Sequence, residues 1–174
     1  PAHIVIAYTG TDLTMYVNGN VIATMNTTFK VGSNAWQCTI GGSSVGTAFR
    51  VQGVIDEFAF YRSELSHARV AAHYAAGRSY TDEVLADSPY AFYRLNDASG
   101  IPADSSGNSR PPTGVTGTPV YNTSGGPVSD GGYLTFDGST DHVSLGNLGS
   151  WVLSQSEFSF ECWFRHTSTA DMSI

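Results

Sequence analysis

Asn18-Gly19 restricts this chain more than any other pair of residues, because it separates two apolar-rich runs, Asp12-Leu13-Thr14-Met15-Tyr16-Val17 and Asn20-Val21-Ile22-Ala23-Thr24. Both residues accept the positive φ angles that a two-residue type I′ turn demands, so the segment predicts a tight antiparallel hairpin. In that register Met15 faces Ile22 and Tyr16 faces Val21. Apolar side chains then lie on both surfaces of the hairpin, as they do when a sheet packs against a second sheet.

The rest of the chain repeats this theme. His3 to Tyr8, Trp36 to Ile40, Gly53 to Tyr61, Tyr90 to Leu95, Tyr133 to Phe136, Asp141 to Leu145 and Phe158 to Phe164 read as strands, and short strands are expected around Val115 and Val120-Tyr121. Only one segment reads as a helix. Ser66 stands as its N-cap, Val70, Ala71 and Tyr74 form an apolar stripe at helical spacing, and Gly77 closes it. Charged residues are 13% of the 174 and glycine contributes 19, which suits short strands joined by tight turns. The fold class is therefore all-β, an antiparallel sandwich with one short helix.

A net charge of −7 with eight scattered basic residues offers no footprint for nucleic acid. No apolar run nears the ~20 residues that span a bilayer, and the opening Pro1-Ala2-His3-Ile4-Val5-Ile6 lacks the features of a signal peptide, so a soluble chain without membrane insertion is expected. Cys38 and Cys162 both lie in strands, where they read as small buried hydrophobes rather than a disulfide.

The segments Gly53-Val54-Ile55-Asp56-Glu57-Phe58-Ala59-Phe60-Tyr61, Leu65-Ser66 and Ala71-Ala72-His73-Tyr74 resemble the closing part of laminin-G-like, concanavalin A-type jelly rolls. The hairpin ahead of them is similar to the preceding part of the same family. Ala91-Phe92-Tyr93-Arg94-Leu95, Asp104-Ser105-Ser106-Gly107-Asn108, Phe136-Asp137-Gly138-Ser139 and Phe158 to Trp163 resemble its opening part. A closing part thus precedes an opening part. This order predicts a window on a tandem array, with residues 1–78 ending one domain, 79–88 as a linker and 89–174 beginning the next. A circular permutant, in which the halves complete one sandwich, is the alternative.

Sandwiches of this shape also house glucan hydrolases, which need two carboxylates converging on one bond. Asp56 and Glu57 are adjacent on a strand and are expected on opposite faces, Glu161 is isolated, and the alternating run of three acids of the hydrolase relatives is missing. A non-enzymatic role follows. The five histidines, His3, His67, His73, His142 and His166, show no metal-ligand spacing. The family resemblance implies a structural calcium, and Asp104, Asn108, Asp137 and Asp141, in loops dense in glycine and serine, are the candidate ligands. The alternative for the same four residues is turn formation, their side chains bonding their own backbone. Trp36, Trp163, Tyr16 and Tyr133 are candidate platforms for stacking sugars, with core burial as the alternative.

Tandem modules opening like residues 83–95 resemble those of bacteriophage minor tail proteins. The resemblance implies a virion structural protein for host attachment, with a host-surface glycan or other virion chains as partners and homo-oligomers among the assemblies expected. The alternatives are an adhesin or accessory carbohydrate-binding domain of a secreted or cell-wall bacterial protein, and a pure structural spacer.

Overall fold

A computed structural model describes residues 1–28, 38–43, 50–76, 79–128, 131–146 and 157–166. In chain order its elements are β1 (Ala2–Tyr8), β2 (Asp12–Val17), β3 (Asn20–Asn26), β4 (Thr39–Ile40), β5 (Gln52–Tyr61), α1 (His67–Ala75), α2 (Tyr80–Ala86), β6 (Ala91–Tyr93), β7 (Gly114–Thr116), β8 (Val120–Asn122), β9 (Tyr133–Asp137), β10 (His142–Ser144) and β11 (Phe158–His166). The expected strands are present. Trp36 and Gly77 lie outside the described residues.

The β2–β3 turn is built as its sequence demands, with φ of 52° at Asn18 and 78° at Gly19. Tyr16 pairs with Val21 as expected, but Met15 pairs with Ala23 instead of Ile22. A bulge makes Ile22 the extra residue and shifts the rest of β3 by one position.

Two sheets form, both antiparallel in every recorded pairing. The larger has the order β3-β2-β1-β11-β5-β9-β8, with β6 also on β5, and the smaller has the order β4-β10-β7. One edge of β5 carries β11; its other edge carries β9 along residues 52–55 and β6 along residues 58–60. Strand β11 is therefore wedged between β1 and β5. Strands from both sides of residues 79–88 share one sheet, and the division at that stretch is not a break in the sheet.

Residues 79–88, expected as a polar linker, contain the second helix. The sequence reading of a single helix missed it because α2 spans only seven residues and carries no side-chain cap. Tyr80 and Val84, one turn apart, are fully buried and pin it to the sheet. Ser88, at φ 51°, ends it in the left-handed region, its N–H donating to Leu85 O.

The large sheet is covered on both faces. Between the sheets, Ile40, Ile55, Ala91, Tyr93, Leu134, Phe136 and Val143 form an apolar core, with Cys162 and Phe164 packed against it. Toward the helices, Val5, Ala7, Tyr16, Ala59, Tyr61 and Trp163 meet Val70 of α1 and Tyr80 and Val84 of α2. Ser66 caps α1 as its sequence predicts, accepting from Arg69 N. The helix buries Val70 and His73, whereas Ala71 and Tyr74 are exposed. The expected apolar stripe is thus displaced around the helix, and the buried histidine explains why.

Candidate functional site

Glu161 sits mid-way along β11 on the helix-facing side and is completely buried. An isolated carboxylate there would be costly, and this one is fully engaged. His3 Nε2 lies 2.8 Å from Oε2, and His73 Nδ1 lies 2.9 Å from Oε1 and 3.1 Å from Oε2. The Tyr61 hydroxyl donates to Oε1. The chain of charges continues outward, with His73 Nε2 2.9 Å from Asp87 Oδ2, Arg69 Nε 2.8 Å from the same oxygen, and Arg69 Nη2 2.8 Å from Glu83.

Each ring nitrogen of His73 faces a carboxylate, an arrangement that favours the doubly protonated ring. Burial opposes that charge, but the hydrogen bond and charge of Glu161, joined by Asp87, raise the His73 pKa above its ordinary value. Burial likewise favours the neutral form of Glu161. The hydrogen bonds from His3 and His73, with their charges, overcome it and bring the carboxyl down to about 2. Around His3 the rings of Trp163, Tyr80 and Tyr74 close at centroid distances of 5.2, 5.8 and 6.3 Å. No face of Glu161 meets solvent. This network fastens α1 and α2 to the sheet.

Asp56 and Glu57 are also buried, and not as expected. A bulge sets residues 57 and 58 against Cys162 alone, with Glu57 at φ 53°, so the strand's alternation breaks there. Asp56 pairs with Trp163 on the helix side, while Phe58 stacks on Phe160 at 6.2 Å, on the other face. Asp56 and Phe58, two residues apart on one strand, therefore lie on opposite faces. Glu57 accepts from Arg94 Nε at 3.3 Å. Asp56 Oδ2 lies so near Gly126 that a Cβ there would come within 2.6 Å of it.

The candidate calcium ligands fall in two loops. Asp104 accepts from Phe92 N (3.0 Å), Ser106 N (3.0 Å), Ser106 Oγ (2.9 Å) and Arg110 N (2.8 Å). Burial acts against its charge, but the N–H groups prevail and hold its carboxyl below the usual range. Asn108 donates to Pro89 O and Tyr90 O. In the second loop Asp137 accepts from the backbone of Ser139, Thr140 and Asp141, while Asp141 accepts from Thr118 N and Asp137 N. All four side chains tie loops to backbone. Among the described residues no group of three or more His, Cys, Asp or Glu is arranged to hold a metal.

Of the candidate sugar platforms, Tyr16 and Trp163 are buried in the core, and Tyr133 is half-buried with Arg165 5.8 Å from its ring centre. A different aromatic meets an open cavity. Tyr90, half-buried, lines a cavity of about 210 Å³ together with Arg62, Ser88, Pro89, Asn108 and Arg110. The guanidinium carbons of Arg110 and Arg62 stand 3.7 and 4.2 Å from the Tyr90 ring centre. Tyr90 N donates to Phe60 O at 2.7 Å, which seats the ring beside the end of β5, two residues before Arg62. Sequence reading missed this cavity because its basic residues are 48 positions apart and belong to no motif.

Against this geometry, the family model for the concanavalin A-like lectin/glucanases superfamily, Laminin_G_3, matches residues 2–71. This segment is laminin-G-like. The laminin-G-like match runs from β1 into α1 and so includes the five strands β1 to β5, of which β1 and β5 flank β11, with His3 inside it. With the two packed antiparallel sheets, it fixes the fold as a concanavalin A-like jelly roll. A search of curated proteins and a search of solved structures each returned no match.

Proposed function

We propose that this laminin-G-like protein is a non-enzymatic recognition module that binds a surface glycan at the Tyr90 cavity. The observation that carries the proposal is the cavity itself, an aromatic ring and two arginines brought to one opening by three separate segments of the chain. The fate of the acids supports it from the other side. Asp56, Glu57 and Glu161, the carboxylates on the two longest strands, are each at most 1% exposed, and Glu57 and Glu161 are engaged by Arg94 and by His3, His73 and Tyr61. The superfamily of the matched segment includes lectins as well as glucanases.

The setting we propose is a phage tail, where the module meets a host-surface glycan and neighbouring virion chains. The same module in a secreted or wall-attached bacterial protein would serve as an adhesin or accessory domain. The test is an array of bacterial surface polysaccharides probed with the labelled protein and with a Tyr90→Ala variant. Binding that the variant loses supports recognition at this cavity. Failure to bind any polysaccharide leaves a spacer and overturns the reading.

A further inference from the structure

Helices α1 and α2 cover one face of the large sheet, and the chain is tied to that sheet on either side of them. Ahead of α1 the Leu65 N–H donates to Ser159 Oγ of β11 at 2.8 Å, and beyond α2 the Tyr90 N–H donates to Phe60 O of β5 at 2.7 Å. Between these ties the helices bury Val70, His73, Tyr80 and Val84. Among the described residues, His73 is the one titratable side chain of the two helices that reaches a carboxylate of the sheet, Glu161. Arg69 bonds Glu83 and Asp87 and so joins α1 to α2, leaving the sheet out. The contact with the sheet also carries a deficit. His3 Nδ1, the Tyr80 hydroxyl and Trp163 Nε1 are buried in it without a hydrogen-bond partner among the described residues, on rings whose centroids stand 5.2, 5.8 and 6.0 Å apart. Such groups favour separation, because water satisfies them once the surfaces part.

From this arrangement we infer that α1 and α2 form a proton-held lid, which lifts from the large sheet when His73 loses its proton while the core between the two sheets stays closed. The groups around His73 come from every element packed on it. Glu161 of β11 and Asp87 beyond α2 face its two nitrogens, Arg69 Nη2 on its own helix lies 3.4 Å from Nε2, and the rings of Tyr61 of β5 and Tyr80 of α2 stand at 6.2 and 6.1 Å. His3 of β1 meets the same carboxylate at Oε2, and Glu83 of α2 lies behind Arg69. A neutral ring has one N–H for two carboxylates, so either Glu161 or Asp87 then faces a lone pair. The Arg69 bonds to Asp87 and Glu83 persist in both states, and the helices leave as one unit. Burial works against the charge of His73, but Glu161 and Asp87 outweigh it, so the covered ring holds its proton to a higher pH than an exposed one and lifting releases that proton. Rising pH therefore favours the lifted state, in which Tyr61 and Trp163 lose their cover.

Amide hydrogen exchange of the intact protein, read by mass spectrometry from pH 6 to pH 9 and corrected for the intrinsic rise of exchange with pH, tests the lid. Protection of α1 and α2 should fall with pH, by up to roughly tenfold per pH unit between about 6.5 and the folded pKa of His73, while β9 and β10 keep theirs. His73→Gln, which has nothing to titrate at that position, should flatten the slope. Tyr80→Phe removes one of the unpartnered groups and should raise protection of the helices at every pH with the slope unchanged. Three results overturn the inference: helix protection that does not vary with pH, a loss shared equally by β9 and β10, or a slope that survives in His73→Gln. Lower protection in Tyr80→Phe would overturn the premise that unpartnered groups favour lifting. The wild-type profile alone decides between a lid and a global transition, whatever the stability of the variants.

Discussion

The two faces of β11 are held by different physics. On one, Phe160, Cys162 and Phe164 lie against apolar side chains, and the core between the sheets contains Phe136, Leu134 and Val143 with no charge among them. On the other, Ser159, Glu161 and Trp163 face the helices, and the centre of that contact is a carboxylate between two histidines. A single nine-residue strand thus carries an interface that is indifferent to proton concentration and one that depends on it. The polar face also joins the most distant parts of the chain, since His3 and Glu161 are 158 positions apart.

The comparison breaks most visibly on truncation. Glu161→Ala strands two buried histidines and the Tyr61 hydroxyl, and a loss of about 3–5 kcal/mol in urea unfolding is expected. Replacing His3, Glu161 and His73 together by leucine recovers much of that loss, because the Tyr61 hydroxyl is then the one member of the network's core left without its partner. On the apolar face Phe136→Ala costs a similar ~3–5 kcal/mol by opening a cavity, and there no second substitution in a polar partner restores it. If the triple leucine variant proves as unstable as Glu161→Ala, the network does more than satisfy its own members.

Acidity separates the faces further. Glu161, whose folded pKa is depressed to about 2, contributes stability present above the ordinary carboxylate range and lost as pH falls from there toward 2. His73, whose folded pKa is raised, contributes stability that is full below about pH 6.5 and lost as pH climbs through its folded value. The network therefore holds best between about pH 4.5 and 6.5. Thermal melts of His73→Gln should lose the alkaline decline of the native curve, whereas Phe136→Ala should lower the whole curve and keep its shape.

Smaller effects lie in the loops. Asp104→Ala removes four accepted hydrogen bonds from the turn that holds Arg110, and about 1–3 kcal/mol is expected. It should also weaken glycan binding at the Tyr90 cavity, whose wall Arg110 forms. The smallest concerns metal. Because the carboxylates of Asp104, Asp137 and Asp141 already accept N–H donors, melting with calcium and with chelator should coincide; an upward shift with calcium would instead assign these loops a resident ion.

What could be read in the sequence follows a physical rule. Asn18-Gly19 announced its turn and Ser66 its helix, because those signals are local and encoded in backbone preference. The bulges at Ile22 and Glu57 were not legible, since strand alternation looks unbroken until the partner strand fixes the register. Helix α2 hid in a polar stretch because only two of its side chains, Tyr80 and Val84, are buried. The fate of Glu161 needed the fold. Its one local hint is a lone acid in an alternating apolar strand, paired with a histidine three residues after Val70 on the inward side of α1. The cavity at Tyr90 left no local hint, as its arginines are separated by two helices and a strand.

The ionisation of Glu161 tests most directly the claim that charge holds one face of β11. Carbon-13 detection of its side-chain carboxyl, followed from pH 7 downward in the folded protein, should show the carboxylate still ionised at pH 4, with the change coming only near 2. A midpoint at or above about 4.3, the ordinary range for glutamic acid, would contradict the account, because burial would then have outweighed His3 and His73.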